Sequence, residues 1–282
     1  MMALGGQLIP SLRSASWLLA VLLPAQVPAP TPSVGDTQPA PVELGAVLDS
    51  LVANAEQYRA TLPSLTADEH ISSEASFLGI FKDHAEAQAT MRVIRASPGK
   101  PLQESRQIAV MNGKPVEPGK TAKLPVTLFG GFGHFQDMFF TPQHRVCFSF
   151  TLLPEPGPDG TLQIGIAGPA AIPAQPGCQQ DREGLTGLAR VDRATGQLVH
   201  LERTIPENVA AKGNLAPFAS IDCAPTKVGD ETFWLPTVVI GRVQSGKIRG
   251  QFIAHYSNYH RYTASIKLLP GATEVAPTES PD

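Results

Sequence analysis

Long hydrophobic runs are missing from this 282-residue sequence. Its clearest apolar segment, Trp17 to Leu23, falls far short of the roughly 20 residues that a membrane helix needs, so no transmembrane segment is expected in the mature chain. Charge is also scarce, at 17% of residues with a formal net charge of -3. That excludes the charge-rich disordered class and a nucleic-acid partner held by a basic surface. Cysteine occurs three times with no C-x-x-C pair, which removes thioredoxin-like redox chemistry and most structural zinc sites.

Signatures of catalysis are missing as well. No G-x-S-x-G elbow supplies a nucleophilic serine. Gly130-Gly131-Phe132-Gly133 lacks the Lys-Ser/Thr of a P-loop and the full G-x-G-x-x-G spacing. His84-Ala85-Glu86 matches the start of a zinc-deaminase signature without the Pro-Cys-x-x-Cys that completes it. His255 and His260 are five apart, on opposite faces of an unbroken strand, and converge only if the chain bends near Asn258. Asp68-Glu69 and the pair Glu202, Glu207 read as solvated carboxylates at strand ends or loops. No catalytic residue, metal ligand set or cofactor is nominated, and the reading leans away from an enzyme.

Proline and glycine are plentiful, at 27 and 25 residues, which suits many short strands joined by turns. Arg13 is the only charge in the first 34 residues and precedes the Trp17 to Leu23 segment, the order of a secretory signal. Val27 and Ala29 supply small residues for cleavage after Ala29, with Ala25 as the alternative. The expectation is a signal peptide over 1–29, a Pro-rich linker over 30–42, one β-rich domain over 43–270 and a disordered tail over 271–282. Export to a periplasm or the extracellular space would let one disulfide form among Cys147, Cys178 and Cys223. Sequence alone does not choose the pair. Cys147 to Cys178 is preferred, because Cys178 sits in a Pro-Gly-Cys loop that could fold back on the alternating segment Arg145 to Phe150.

Leu44, Val47, Leu48, Leu51, Val52, Ala55 and Tyr58 form one apolar helical stripe that ends at Pro63. The period then changes to two. Strands are expected near 69–81, 86–96, 105–111, 143–153, 161–168, 184–193, 197–204, 217–225, 231–243 and 247–268, the last interrupted around Asn258. Asn112-Gly113 is the strongest hairpin signal, and Gly196 and Gly246 mark further tight turns. One helix before about ten antiparallel strands implies an α+β fold: a curved antiparallel sheet or unclosed β-barrel with an N-terminal covering helix. Between the strands, Leu128 to Phe140 is aromatic and glycine-punctuated, a short helix or mobile flap. Phe129, Phe132, Phe135 and Met138 in that segment, with Trp234 of Phe233-Trp234-Leu235-Pro236, are the candidate lining of a hydrophobic ligand cavity.

Three stretches carry a family resemblance: Leu188 to Glu202 around Asp192-Arg193-Ala194-Thr195-Gly196, then Phe233-Trp234-Leu235-Pro236, then Ala254 to Tyr262 around Tyr256-Ser257-Asn258-Tyr259. Together with the leading helix they resemble the outer-membrane lipoprotein-sorting, LolA-like group of exported bacterial proteins. The resemblance implies an unclosed barrel with a helical lid and a cavity that shelters acyl chains. The expected function is a non-enzymatic exported carrier, its partner a hydrophobic small molecule, a lipid or a lipoprotein, with association at the outer membrane. The rivals are an envelope protein that docks through its sheet and, more weakly, a hydrolase built around His255 and His260.

Overall fold

A computed structural model describes residues 42–262 except 96–99, 101, 118–119, 121, 170–177, 179–182 and 214–215. The expected signal peptide, all but the last residue of the linker and the tail from 271 lie outside the described residues. Helix α1, Leu44–Thr61, buries Val47, Leu48, Leu51 and Ala55, four members of the stripe that the sequence spacing places on one side. Eleven strands follow among the described residues: β1 Leu65–Phe77, β2 Phe81–Arg95, β3 Leu102–Met111, β4 Lys114–Pro115, β5 Ser149–Leu152, β6 Leu162–Ala167, β7 Thr186–Val191, β8 Leu198–Thr204, β9 Phe218–Val228, β10 Glu231–Ser245 and β11 Ile248–Arg261. Among the described residues three short α-helices interrupt them, α2 His134–Phe140, α3 Pro142–Arg145 and α4 Glu207–Gly213, with one turn of 3-10 helix at Pro158–Gly160.

All the strands belong to one unclosed sheet in the order β4-β3-β2-β1-β11-β10-β9-β8-β7-β6-β5. Every pairing is antiparallel, and every neighbouring pair but one is consecutive in the chain. The exception joins β1 to β11. Strict alternation sets one face of the sheet against α1. Ala67, Ile71, Met91, Val93, Leu201, Leu235, Phe252 and Ala254 are all nearly inaccessible and pack in one cluster with the α1 stripe.

Side chains fix the helix on that face. Arg59 of α1 meets Asp137 of α2 at 3.3 Å, Arg145 of α3 pairs with Asp49, and Asn54 donates to the carbonyl of Gly196 at 2.9 Å. Gly196 has φ +67°, and the Asp192 carboxylate organises its turn by accepting from the Thr195 amide at 2.8 Å and hydroxyl at 2.7 Å. A Cβ on Gly196 would approach Ser50 of α1 at 3.3 Å, so glycine serves both the turn and the helix contact.

Three expectations need correction. The strand read over 69–81 is two strands, because Leu78-Gly79-Ile80 makes a turn with Leu78 at φ +57° and Gly79 at φ +74°. That turn has no Asn, Asp or Pro to announce it. The strand read from 143 starts at Ser149; before it Thr141 caps α3, its hydroxyl accepting from the His144 amide at 3.2 Å. Cys147 consequently sits in the turn after α3, outside any strand. The interruption expected at Asn258 is a bulge: Thr66 pairs with His260 while Asp68 pairs with Ser257, and Asn258 takes φ +50°.

A disulfide joins Cys147 to Cys178, with Cα atoms 5.5 Å apart. Cys223 is a buried free thiol on β9, and burial first, then the charge of Asp222, push its pKa up to about 12. Native protein should therefore give no reaction with a thiol reagent at pH 8, whereas unfolding without reductant should release one thiol per chain. Rapid native labelling would contradict the burial of Cys223, and three thiols after unfolding would contradict the bridge.

Candidate functional site

A buried ion pair organises the inner face near its β3 edge. Glu69 of β1 and Arg106 of β3 lie on the inward parity of their strands, with β2 between them. The guanidinium reaches across to form two bonds with the carboxylate, 2.6 and 2.7 Å, and the two side chains are 0% and 4% exposed. Glu69 is thus not the solvated carboxylate expected of it, whereas its neighbour Asp68 is exposed and accepts from Asn258 at 2.8 Å. Strand parity separates the two, since adjacent residues face opposite sides. Burial works against the Arg106 cation, but the hydrogen bonds and charge of Glu69 more than offset it and raise its pKa above the ordinary arginine value. Its Cζ lies 4.6 Å from the Phe129 ring centroid and 5.0 Å from that of Phe252.

The same arginine holds the segment that leads into α2. It donates to the Leu128 carbonyl at 3.1 Å and to the Thr127 hydroxyl at 2.7 Å. Two residues back on β3, the Glu104 carboxylate accepts from the Gly130 amide at 2.7 Å and the Phe132 amide at 2.9 Å. Gly131 lies close over β10, where an added Cβ would stand 3.1 Å from Val239. These bonds tie residues 127–132 to β3 as a strap, and the short helix expected as one alternative for this segment is present as α2.

The strap and β3 enclose a groove of about 730 Å³. It is lined by Arg106 and Ile108 of β3, by the apolar Val116, Ala122, Leu124 and Phe129, and by the charged Glu117, Lys120 and Lys123. Lys120 pairs with Glu117 at 2.7 Å. The groove mixes apolar side chains with Lys123 and with two cations already paired to carboxylates, Arg106 to Glu69 and Lys120 to Glu117, and its size falls within the roughly 300–1,000 Å³ of small-molecule sites.

Of the five residues expected to line one cavity, the four whose side chains are described are not brought together. Phe129 is 51% exposed and lines the groove. Phe132 is 1% exposed, edge-on to the rings of Tyr256 at 5.2 Å and Tyr259 at 6.2 Å, and Met138 is equally a core residue. Trp234 is half-buried on the outer face, because Phe233 and Leu235 take the inward positions of β10. The Phe135 side chain lies outside the described residues. What the sequence reading missed is Arg106 and Glu104; their signal was the charged, alternating Leu102-Gln103-Glu104-Ser105-Arg106 segment, whose charges fall on the inward parity.

On the outer face, the bulge at Asn258 brings His255 and His260 to the same side, both exposed. Among the described residues no group of three or more His, Cys, Asp or Glu is placed to hold a metal ion. His200 of β8 lies between Glu202 at 3.5 Å and Asp222 of β9 at 2.7 Å. The hydrogen bond from His200 holds Asp222 below the usual aspartate range, with Arg190 adding to it at 3.4 Å.

No family model matches the chain, and no curated protein matches it. Solved structures do. One, described as an outer membrane lipoprotein-sorting protein domain of Vibrio parahaemolyticus, is 10% identical with a TM-score of 0.42, over 78% of this chain and 94% of that one. A LolA superfamily protein of Nitrosomonas europaea is 12% identical with a TM-score of 0.33, over 77% and 94%. A DUF1329 family protein of Desulfovibrio piger is 10% identical with a TM-score of 0.37, over 79% and 94%.

Proposed function

We propose that this chain is an exported, non-enzymatic binding protein for a lipid, a fatty acid or the acyl part of a lipoprotein, held in the groove between β3 and the strap. The observation that carries this reading is a groove of about 730 Å³ that sets Ile108, Leu124 and Phe129 together with Lys123. An acyl chain against Ile108, Leu124 and Phe129 gains the burial of apolar surface, and an acidic head beside Lys123 keeps its charge compensated. The filled core under α1 argues against an alternative cavity at Phe132 and Met138, so the expected binding set contracts to Phe129 and its groove neighbours. Export follows from the leader pattern, with the mature chain beginning at Pro30.

A fluorescent fatty acid titrated into the mature chain tests the site. Phe129→Ser should weaken uptake roughly tenfold by removing one wall contact, and Lys123→Glu should weaken it further for a fatty acid than for the corresponding alcohol. Native mass spectrometry of protein recovered from a bacterial periplasm reads two things at once, the starting residue and any co-purifying lipid mass. Uptake indifferent to both substitutions would remove the groove from consideration.

A further inference from the structure

We propose that the tip formed by the β1–β2 and β10–β11 hairpins is a membrane-contact site that enters the interface of an anionic lipid bilayer. It is separate from the groove and does not depend on what the groove holds. Phe77, Leu78, Ile80, Phe81 and Ile248 are 45%, 49%, 75%, 70% and 45% exposed, five of the seven large hydrophobic residues exposed among the described residues. Single exposed apolar residues are ordinary, but a contiguous cluster marks an interaction surface.

Register gathers the cluster. Phe77 pairs with Phe81 on one side and with Ile248 on the other, so three large side chains stand in a row on one face at the end of three strands. The Leu78 amide donates to the Lys247 carbonyl at 2.9 Å, tying the two turns into a single tip. Residue choice in the turn is equally pointed. Other hairpin turns in the sheet use Asn112-Gly113, Gly229-Asp230 and Gly246-Lys247, whereas this one exposes Leu78 and Ile80 and holds Leu78 at φ +57°. A leucine there is costly in backbone terms and gains nothing from the core.

Charge identifies the occupant. Residues 76–82 and 245–249 carry Lys82, Lys247 and Arg249 and no acidic side chain, in a chain whose net charge is -3. Asp83 and Glu74 stand two and three positions behind the Phe77–Phe81 pair. The basic residues follow the apolar ones by a single strand position, about 3.3 Å. When the apolar tip dips roughly 5–10 Å into the boundary between headgroups and acyl chains, the ammonium and guanidinium groups reach lipid phosphates. A second copy of this chain would offer the same basic collar to itself and is disfavoured.

Flotation of the mature chain with vesicles of phosphatidylethanolamine and phosphatidylglycerol, against vesicles of phosphatidylcholine, tests the site. Binding should be strong only with the anionic vesicles. Ile80→Ser with Phe81→Ser should reduce it roughly tenfold or more by removing two apolar anchors, with an unchanged melting temperature and unchanged fatty-acid uptake. Lys82→Glu with Lys247→Glu should abolish the preference for phosphatidylglycerol. Ile80→Trp keeps the tip apolar and should show a blue-shifted, bromolipid-quenched emission on anionic vesicles. Absence of wild-type binding, equal binding by the serine variant, or an unshifted Ile80→Trp emission would overturn the proposal. So would a dimer in sedimentation that the serine variant dissolves while vesicles remain unbound.

Discussion

Replacing Arg106 by methionine should lower the free energy of unfolding by about 3–5 kcal/mol, because it leaves the Glu69 carboxylate charged and without its partner inside the sheet. Exposure of 0% and 4% for the two side chains denies Glu69 any compensation by water. The substitution also withdraws the donors at Leu128 and Thr127, so the strap should loosen along with the pair. Urea denaturation measures the loss, and amide exchange at Gly130 and Phe132 measures the loosening. The double replacement Glu69→Leu with Arg106→Met should recover much of the stability, since two apolar residues of similar bulk remove the desolvation cost altogether. A single variant as stable as the parent would mean that Glu69 takes up a proton at little cost, and that the pair is not what fixes the strap.

Phe132→Ala should cost a further about 3–5 kcal/mol on its own account, the usual range for deleting a fully buried aromatic. The ring is 1% exposed between Tyr256 and Tyr259, both of which are tied down by the sheet. Phe129→Ala, three residues earlier, should cost only about 0.5–1 kcal/mol, the worth of a half-exposed ring over a cation. Thermal melts and fatty-acid titrations on the two variants separate core from site. Phe132→Ala should melt early and, below its transition, still take up the probe; Phe129→Ala should melt normally and bind poorly. The reverse pattern would move the ligand from the groove to the space under α2.

The features that the sequence revealed are those set by local physics. Val47, Leu48, Leu51 and Ala55 repeat at helical spacing, and Asn112-Gly113 and Asp192 to Gly196 carry the side chains that their turns require. The hairpin at Leu78-Gly79-Ile80 escaped notice because its turn is made of residues that otherwise read as strand, which is also why its exposure is informative. The site was harder. Glu69 and Arg106 are 37 residues apart, and only the register of β1 on β2 and of β2 on β3 brings them to one face. Composition cannot tell a buried carboxylate from a solvated one. For the same reason Phe132 and Phe129, alike in sequence context, have opposite environments: Glu104 turns the backbone between them.

The pairing of β1 with β11 has a kinetic meaning. All the other strand pairings join chain neighbours, so two meanders, β1 to β4 and β5 to β11, can each assemble from pairings that are closer in the chain. Leu65 must wait for Arg261. Of all the pairings in the sheet, closing that distant one carries the largest loop-closure entropy and is the one expected to be slowest. During that interval β1 and β11 each present a row of unpaired amides and carbonyls, with Ile71, Phe252 and Ala254 uncovered beside them. The nascent or newly delivered chain, rather than the finished fold, is therefore the form most exposed to pairing with a second molecule, and a chaperone acting on this protein would be needed most at the centre of its sheet.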